Sequence, residues 1–366
     1  MTVSGHSEQP AGSAGSAQAA EQAALAALLA AGIADEPAAA AWRLLMDARR
    51  IVLLAHHNPD PDALGSALGL AHALQPYGKA CVVACADPVP EGFTFLPGRE
   101  QVVTELPDEN FDLVVALDAG DLSRYGTLYE RHKAFFDHAP ILNIDHHASS
   151  TGCGVVNIID PTAAATAELI TLLLLNRGAA ISQDAAECLL AGVITDTRSF
   201  EFDATTERTL AVGAYLVGCG AVPETIVKPM YRMKPFAQVK LWGRVLQTAQ
   251  TASDGRIIWA TLRRSDMEAA GATQDMDDGL PGYLLDVEGV EIAVMLREGG
   301  ENTTRVSVRT QDRKITHPPR GRSYAARTRE AACSQDPVPT RTAIPEPTPS
   351  PSSCCRPRRR RKSLPR

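Results

Sequence analysis

The middle of the chain alternates short apolar runs with longer segments of helical composition. Several of the runs are rich in Val and Ile, and their near-continuous apolarity is typical of strands covered on both faces of a sheet. This alternation predicts an α/β domain with a mostly parallel sheet. The predicted strands are Ile51–Ala55, Ala80–Ala84, Leu113–Leu117, Ile141–Ile144, Val155–Ile159 and Ala191–Thr195. The predicted helices are Ala63–Leu74, Ala164–Leu175 and Thr206–Val217.

A second, smaller unit is predicted after a connector. Residues 221–234 contain two prolines and several charged residues, which is typical of a linker between domains. The composition beyond it predicts one helix and three strands, an α+β module over residues 235–311. The helix is predicted at Phe236–Ala249 and the strands at Ile257–Leu262, Val290–Leu296 and Arg305–Arg309, with a turn at Glu298–Asn302.

Both ends of the chain differ from its body in composition. The Ala-rich segment 1–35 is predicted to be flexible, with helix-forming sequence at 19–31 and again at 36–48. Ten of the 25 prolines lie in residues 312–366, where no apolar periodicity continues, so this tail is predicted to be disordered. The main domain is therefore assigned to residues 36–220.

The net charge of −7 conceals an uneven distribution. Residues 312–366 hold 14 Lys and Arg but 4 Asp and Glu, a net charge of +10, which leaves −17 on residues 1–311. An acidic body argues against a protein that binds duplex DNA, because such proteins present a basic face to the phosphates. Action on nucleotides stays open, because bound metal ions can supply local positive charge.

Localisation and redox chemistry follow from what the sequence lacks. It contains no run of about 18 uncharged apolar residues, so no membrane span is expected. Its N-terminus does not follow the signal-peptide pattern, so the cytoplasm is the expected compartment. None of the eight cysteines forms a Cys-x-x-Cys pair, and we expect thiols rather than a disulfide framework.

Acidic residues and histidines form four clusters, each at or just after a predicted strand end. Because the carboxyl ends of parallel strands lie at one edge of a sheet, the clusters are expected to converge there. The first cluster, over residues 56–62, contains His56, Asp60 and Asp62 on a loop stiffened by two prolines. Its two aspartates can point to two different cations. Ser66 lies at the start of the next helix, where backbone N–H groups could meet an anion.

The other three clusters are smaller. Asp118 closes one apolar run, Asp145-His146-His147 closes another, and Asp196 follows the predicted strand 191–195. Taken alone, Asp118 or Asp196 is as consistent with a helix cap or a turn as with a ligand. Consecutive histidines at a strand end are rarely structural, and imidazole with carboxylate suits Mn²⁺ or similar cations. The convergence of all four clusters favours a metal site, and no Walker loop, nucleophile elbow or dinucleotide fingerprint competes with it.

The order and separation of these clusters resemble the four motifs of the DHH phosphoesterase superfamily, across about residues 40–220. The following segment, about 236–311, is similar to the start of the DHHA1 substrate domain. The whole most resembles the branch of nanoRNases and 3′-phosphoadenosine-5′-phosphate phosphatases. The resemblance implies two divalent cations, with Mn²⁺ expected and Mg²⁺ or Co²⁺ as alternatives.

The resemblance also implies a role for each matching residue. One cation would be held by His56, Asp60 and Asp118. The other would be held by Asp62, Asp118, His146 and Asp196, with Asp118 bridging the two. His147 would contact the scissile phosphate, and Asp145 would orient the neighbouring histidines.

Two positions depart from the family pattern inside the motifs. Pro61 and Arg198 stand where many members have glycine. Pro61 preserves a stiff loop. Arg198 could add a phosphate contact or obstruct the site, and with His147 and Ser66 it completes the set of candidate substrate contacts.

Three hypotheses about the function stay open. The leading one is an exonuclease and phosphatase acting on very short RNA or on adenosine 3′,5′-bisphosphate. A second enzyme would hydrolyse linear or cyclic dinucleotides, or pyrophosphate. A protein of another class would be a weakly active metal-binding remnant or an RNA-binding module. The expected partner is a short RNA or nucleotide. Binding to duplex DNA or to a membrane is not expected, and the question of a homodimer is left open.

The tail departs from the family most strongly. The DHHA1 domain normally ends in a Gly-Gly-Gly-His segment that binds substrate, whereas residues 317–324 lead into basic, Pro-rich sequence. If residues 320–324 were encoded CGG GGG CGG TCA TAC, reading from the third nucleotide would give Gly-Gly-Gly-His. We therefore interpret the tail as the product of a reading-frame shift near Arg309–Asp312. Resequencing codons 310–325 tests this: an intact frame there, with no Gly-Gly-Gly-His in any alternative frame, would make the tail a native feature.

Overall fold

The computed structural model describes residues 12–107, 110–277, 279–299, 303–310 and 326–327. These residues fall into two compact units, divided between Val239 and Lys240. The first unit contains a five-stranded parallel sheet, and the second, smaller unit contains a five-stranded mixed sheet. The predicted fold class, an α/β domain followed by a smaller α+β domain, is confirmed.

The first unit alternates strands and helices. Its strands are β1 (Arg50–Ala55), β2 (Ala80–Cys85), β3 (Leu113–Leu117), β4 (Ile141–Asp145) and β5 (Val156–Ile159). Its helices are α1 (Gly12–Ala30), α2 (Asp35–Asp47), α3 (Pro61–Leu74), α4 (Gly126–Arg131), α5 (Lys133–Phe136), α6 (Thr166–Asn176), α7 (Gln183–Asp196), α8 (Glu207–Gly218) and α9 (Pro223–Val227).

The sheet has the strand order β2-β1-β3-β4-β5, with every neighbouring pair parallel. All residues of β3 and β4 are buried, as their apolar sequences predict. One hydrophobic cluster contains Leu53 and Leu117 on one face, and another contains Val52 and Val114 on the other. Because β3 lies between β1 and β4, the polar residues that follow these three strands are neighbours in space.

The predicted strand Ala191–Thr195 is wrong, because these residues form the last turns of α7. Helix α7 begins after Ser182, whose hydroxyl accepts a hydrogen bond from the N–H of Ala185 at 3.3 Å. Residues 188–194 are buried all round the helix, so their sequence shows the continuous apolarity of a buried strand. A short apolar run does not distinguish these two structures, and here tertiary packing decides.

Helices α3 and α7 pack together through glycines. A Cβ atom added at Gly65 would lie 2.3 Å from the carbonyl oxygen of Cys188. One added at Gly69 would lie 2.7 Å from the side chain of Leu189. Such distances are below any real contact of a Cβ atom, so the two helices approach more closely than larger residues would allow. This contact fixes the start of α3 relative to the end of α7.

Segments predicted to be flexible or to be linkers contain helices in the structure. Within segment 1–35, α1 begins at Gly12, and its residue Leu29 is 3% exposed. The side chain of Asn176 donates to the carbonyl of Ala30 at 2.7 Å. The connector 221–234 contains α9 and a π-helical turn over Lys228–Arg232. Residues 1–11 lie outside the described residues.

No single helix in the part of the chain that the structure describes is long and apolar enough to cross a membrane. Two neighbouring helix pairs reach the required length and composition only when joined across bends of 104° and 106°. In the first of these pairs, α1 and α2, the residues Leu29 and Leu45 are buried in the core of the first unit.

The second unit begins within helix α10 (Phe236–Leu246). Its other elements are β6 (Gln250–Ala252), β7 (Ile257–Leu262), α11 (Arg264–Ala270), α12 (Leu280–Leu285), β8 (Ile292–Glu298), β9 (Thr303–Thr310) and β10 (Ala326–Arg327). The sheet order is β10-β9-β8-β7-β6, and β7 and β8 are parallel. The predicted tail 312–366 lies outside the described residues except for β10, which pairs with β9.

Candidate metal centre

Four chain segments meet beyond the carboxyl ends of the strands: the loop after β1, the ends of β3 and β4, and the end of α7. They bring together all the residues predicted as metal ligands: His56, Asp60, Asp62, Asp118, His146 and Asp196. Their ligand atoms form groups in which each atom lies within 4.8 Å of the others. The groups are His56–Asp60–Asp118, Asp62–His146–Asp196 and Asp118–His146–His147.

Asp118 lies between two histidines. Its Oδ2 atom is 3.3 Å from Nε2 of His56, and its Oδ1 atom is 3.4 Å from Nε2 of His146. The residue follows β3 with a φ of +56°, and the hydroxyl of Tyr125 donates to the preceding carbonyl of Leu117 at 3.0 Å. The two oxygens of one carboxylate therefore face two separate groups of ligands, which is the arrangement of a bridging ligand.

The remaining carboxylates complete the two groups. Asp60 caps α3 through Oδ1, which accepts from the N–H groups of Asp62 and Ala63, and its Oδ2 lies 3.6 Å from Nε2 of His56. Nε2 of His146 lies 3.2 Å from Oδ2 of Asp196 and 3.9 Å from Oδ2 of Asp62. Asp60 is thus a helix cap and a candidate ligand at once.

Hydrogen bonds orient both histidines with Nε2 toward the carboxylates. Nδ1 of His56 lies 2.9 Å from the carbonyl of His57, and Nδ1 of His146 lies 3.3 Å from that of Ala163. A proton on Nδ1 leaves a lone pair on Nε2, which is the usual state of a metal-bound histidine. Nε2 of His146 is buried without a hydrogen-bond partner among the described residues. The donor set and this buried atom both fit a bound divalent cation.

Asp62 is fully buried and is held by the start of α6. Its Oδ2 accepts from the N–H of Thr166 at 2.7 Å, and its Oδ1 accepts from the N–H of Ala167 at 3.0 Å. Helix α7 leaves room for this carboxylate only because residue 192 is glycine. A Cβ atom at Gly192 would lie 2.3 Å from Oδ1 of Asp62.

Asp145 and His147 form a hydrogen-bonded pair beside these groups. Nδ1 of His147 donates to Oδ1 of Asp145 at 2.7 Å, and it lies 3.7 Å from Oδ1 of Asp118. Asp145 is fully buried, whereas the side chain of His147 is 47% exposed. Asp145 thus orients His147, and the described contacts give it no hydrogen bond to His146.

The burial of Ser66 argues against the prediction that it contacts substrate. Its side chain is fully buried, and its hydroxyl donates to Oδ1 of Asp62 at 3.4 Å. A fully buried hydroxyl has no surface to offer to a substrate. We therefore assign Ser66 to the support of Asp62.

Arg198 lies just beyond Asp196, in a left-handed segment. Arg198, Ser199 and Phe200 have φ values of 50°, 62° and 67°, a region that is unfavourable for residues with a Cβ atom. The hydroxyl of Thr197 accepts from the N–H of Phe200 at 2.9 Å and holds this turn. The Arg198 side chain is 41% exposed and lies 3.4 Å from Oε2 of Glu201. A glycine at position 198 would adopt this backbone without steric cost.

Replacing Arg198 by Gly is expected to stabilise the protein. Glycine adopts positive φ without the steric cost of about 1 kcal/mol or more, which corresponds to a rise of roughly 2–4 °C in melting temperature. Thermal unfolding of the purified chain measures this. Arg198→Ala is the matched control, because it removes the guanidinium and keeps the backbone cost. If both variants shift the melting temperature equally, the side chain and not the backbone is responsible.

Electrostatic interactions between the histidines and the aspartates determine which groups of the centre are protonated. Burial lowers the pKa of His56, but the carboxylates of Asp118 and Asp60 outweigh it and raise that pKa to about 10. At His146 burial is outweighed by Asp118 and Asp196, and the pKa rises to about 12. The same histidines overcome burial at Asp118 and lower its pKa, whereas burial and Asp118 raise the pKa of Asp62. In the metal-free centre, protons on the imidazoles of His56 and His146 therefore neutralise part of the negative charge of the carboxylates.

Protein stripped of metal is expected to lose stability as the pH rises above about 6.5. The folded pKa values of His56 and His146 exceed their usual 6.5. Below that pH both states are protonated and the stabilisation is complete. Above it the unfolded histidines lose their protons first, so the stabilisation declines toward the folded pKa values.

Thermal unfolding in EDTA at pH 6.5 and 8.5 measures this effect, with an expected drop of about 5–10 °C in melting temperature. Excess Mn²⁺ is expected to remove the drop, because cations replace the protons. His146→Gln is expected to lose about half of the pH dependence. A melting temperature that rises or stays constant in EDTA over this range would contradict the charge coupling.

Some residues that build the centre are absent from the predicted set. The N–H of Thr166 donates to Asp62, and Gly192 leaves the space that Asp62 occupies. The side chain of Asn143 donates to the carbonyls of Ala116 and Ala119, on either side of Asp118. A buried Asn inside an apolar strand is a signal visible in the sequence. Thr166 and Gly192 carry no such signal, because Thr166 follows a run of alanines and Gly192 stands in a continuous apolar segment.

The parallel α/β unit thus gathers imidazoles and carboxylates beyond its strand ends, with one aspartate shared by two groups, and this donor set suits divalent cations. The comparisons with known proteins give the class, that of metal-dependent phosphoesterases. The profile of the DHH family, N-terminal domain, matches residues 50–193. A Thermus thermophilus protein described as "Bifunctional oligoribonuclease and PAP phosphatase NrnA" is 34% identical over 265 residues, 71% of this chain and 76% of that protein. The chain belongs to the DHH family of hydrolases.

Other relatives match similar shares of this chain. The "Bifunctional oligoribonuclease and PAP phosphatase NrnA" of Bacillus subtilis is 28% identical over 252 residues, 68% of this chain and 77% of that protein. The "Cyclic-di-AMP phosphodiesterase GdpP" of Geobacillus thermodenitrificans is 25% identical over 294 residues, 73% of this chain and 42% of that protein. A solved exopolyphosphatase-related protein from Bacteroides fragilis shares the fold, with a TM-score of 0.71 and 24% identity over 76% of this chain and 84% of that one.

Proposed function

We propose that the chain hydrolyses short oligoribonucleotides and adenosine 3′,5′-bisphosphate, with two divalent cations and water. One observation carries the proposal: the two oxygens of Asp118 face His56 and His146, each inside its own group of ligands. A shared carboxylate between two groups supports a two-cation phosphoesterase. The names of the Thermus and Bacillus relatives supply the substrate class.

The proposed ligands are the groups His56–Asp60–Asp118 and Asp62–His146–Asp196, and Asp118 joins the second because its Oδ1 faces Nε2 of His146. His56, Asp60 and Asp118 would hold one cation, and Asp62, Asp118, His146 and Asp196 would hold the other. When bound, the pair of cations would lower the pKa of a water and neutralise charge on the phosphoryl oxygens. We propose Mn²⁺ as the cation, because a set of imidazoles and carboxylates suits it, with Mg²⁺ and Co²⁺ as alternatives.

His147 is the proposed contact to the scissile phosphate. Its hydrogen bond to Asp145 outweighs burial and raises the pKa of the imidazole, which favours the protonated form. The same bond occupies Nδ1, so the other ring nitrogen, Nε2, is the donor left for a phosphoryl oxygen. His147 also has the most exposed imidazole of the three histidines in these groups, as a residue that meets substrate should.

A second substrate class has support from one comparison. The Geobacillus relative, named as a cyclic-di-AMP phosphodiesterase, matches 73% of this chain and 42% of its own length. The bond broken would again be a phosphodiester between nucleotides. The two proposals therefore share the metal centre and differ in what the rest of the site accepts.

Assays of the full chain decide between these substrates. Purified protein is stripped with EDTA, reloaded with Mn²⁺, Mg²⁺ or Co²⁺, and given a diribonucleotide, adenosine 3′,5′-bisphosphate, cyclic di-AMP or pyrophosphate. The proposal expects turnover of the first two with Mn²⁺. Turnover of cyclic di-AMP alone would favour the second class. Binding of RNA without hydrolysis of any substrate would overturn both and favour a binding module, and light scattering of the same sample tests the homodimer.

A further inference from the structure

Thr166 contacts two of the proposed ligands and belongs to neither ligand group. It is the first residue of α6 and is fully buried. Its hydroxyl Oγ1 donates to Oδ1 of Asp118 at 3.0 Å, and its N–H donates to Oδ2 of Asp62 at 2.7 Å. Both carboxylates are proposed ligands of the second cation, together with His146 and Asp196. One residue therefore orients two of the four oxygen and nitrogen donors proposed there.

We propose that Thr166 is a positioning residue that makes the second cation site of this centre, an inference that rests on the proposed function. A carboxylate can rotate about its Cβ–Cγ bond, and a bridging aspartate works only if each oxygen faces its own group. The hydrogen bond from Thr166 fixes Oδ1 of Asp118 on the side of His146, which leaves Oδ2 facing His56. Hydrogen bonds of this kind hold ligands in their binding geometry.

The turn that carries Thr166 serves the same group of ligands. The carbonyl of Ala163 faces Nδ1 of His146 at 3.3 Å, so the turn touches Asp62, Asp118 and His146. The described contacts of residues 163–167 include no hydrogen bond to His56 or Asp60. Loss of the Thr166 hydroxyl should therefore weaken the second cation much more than the first, for which His56 and Asp60 keep their positions.

Glu168 fixes this turn from the other side. The carboxylate of Glu168 is fully buried; its Oε2 accepts from the N–H of Ala164 at 3.2 Å and from the hydroxyl of Thr209 at 2.9 Å. Its Oε1 accepts from Nε of Arg208 at 2.6 Å. The hydrogen bonds of Glu168 link the turn to α8, so the position of Thr166 does not depend on the cations themselves.

The test compares isosteric variants of two buried threonines in α6. Thr166→Val removes the hydroxyl donor but keeps the side-chain volume and the N–H bond to Asp62, and Thr166→Ser keeps a hydroxyl. Thr171→Val is the matched control: Thr171 is equally buried in the same helix, and its hydroxyl donates to the carbonyl of Ala167 at 2.8 Å without touching a ligand. The full chain is stripped with EDTA and titrated with Mn²⁺ by calorimetry and by electron paramagnetic resonance.

Wild type is expected to bind two Mn²⁺ per chain and to show the spin-coupled signal of a bridged pair. In Thr166→Val the second Mn²⁺ should bind about 10–100-fold more weakly, and the coupled signal should be lost at concentrations that saturate wild type. The first Mn²⁺ should change by less than about 3-fold, and Thr166→Ser and Thr171→Val should retain both cations.

Two results would overturn the inference. One is two wild-type Mn²⁺ affinities in Thr166→Val; the other is an equal weakening of both cations, matched by Thr171→Val, which would make the hydroxyl merely structural. Failure of the proposed function looks different, because it shows in wild type itself. Wild type that binds two coupled Mn²⁺ but hydrolyses no phosphoester would sink the proposed function and leave the positioning result measurable.

Discussion

Asp118→Ala is expected to abolish hydrolysis and to reduce the metal content of the protein. The carboxylate serves both ligand groups, so its loss removes one donor from each at the same time. The loss of rate should be about 10³-fold or more, equal to about 4 kcal/mol of transition-state stabilisation. Metal analysis after dialysis and a hydrolysis assay with saturating Mn²⁺ measure the two effects together.

Two further variants sharpen the Asp118 experiment. Asp118→Asn keeps the shape of the side chain but replaces one oxygen, so it should retain more metal than Asp118→Ala. Asp121→Asn is the matched control, because Asp121 lies on the same loop, is exposed and accepts only from the N–H of Ser123 at 2.7 Å among the contacts described here. Near-normal turnover in Asp118→Ala would show that the two-cation assignment is wrong.

Replacing His146 and His147 one at a time is expected to separate metal binding from rate. His146→Ala removes a buried imidazole that faces Asp118, Asp62 and Asp196, so the protein should hold fewer cations. His147→Ala removes the more exposed imidazole, so most of the metal should stay while hydrolysis slows by about 10²-fold or more. Cation stoichiometry and rate are measured on the same samples.

The two histidines are neighbours in sequence and in space, with ring centroids 4.6 Å apart, so a general disturbance would affect both variants alike. Asp145→Asn provides an independent check, because it weakens the hold on His147 alone. That variant should lose rate and keep metal. The opposite pattern, with metal lost in His147→Ala and kept in His146→Ala, would exchange the two roles and make His147 rather than His146 the metal ligand.

The sequence predicted the parts of the centre whose chemistry is visible in single segments. The residues after β1, β3 and β4 were recognisable because carboxylates and imidazoles follow apolar strands, and strand ends in a parallel sheet converge. Asp196 lies in the same centre but does not follow a strand. It ends a buried helix, and the continuous apolarity of residues 188–194 hid the helical period.

The support of the centre could not be predicted in the same way. Thr166 meets Asp62 across 104 positions in the sequence, and its neighbours on the N-terminal side are alanines that carry no chemical signal. The requirement for glycine at residue 192 exists only because Asp62 lies against it. Such contacts depend on how α3, α6 and α7 pack, and local composition does not determine helix packing.

The glycine contact between α3 and α7 affects the distance between two of the proposed ligands. Asp62 lies in the first turn of α3 and Asp196 is the last residue of α7, so the space between their carboxylates depends on how closely two backbones approach. At Gly65 that approach is limited by a carbonyl oxygen rather than by a side chain that could change rotamer. Ca²⁺ needs oxygen distances of about 2.3–2.6 Å, whereas Mg²⁺ needs about 2.0–2.1 Å. These short distances require carboxylates that lie close together, and a side chain at residue 65 would force the two helices, and with them Asp62 and Asp196, apart.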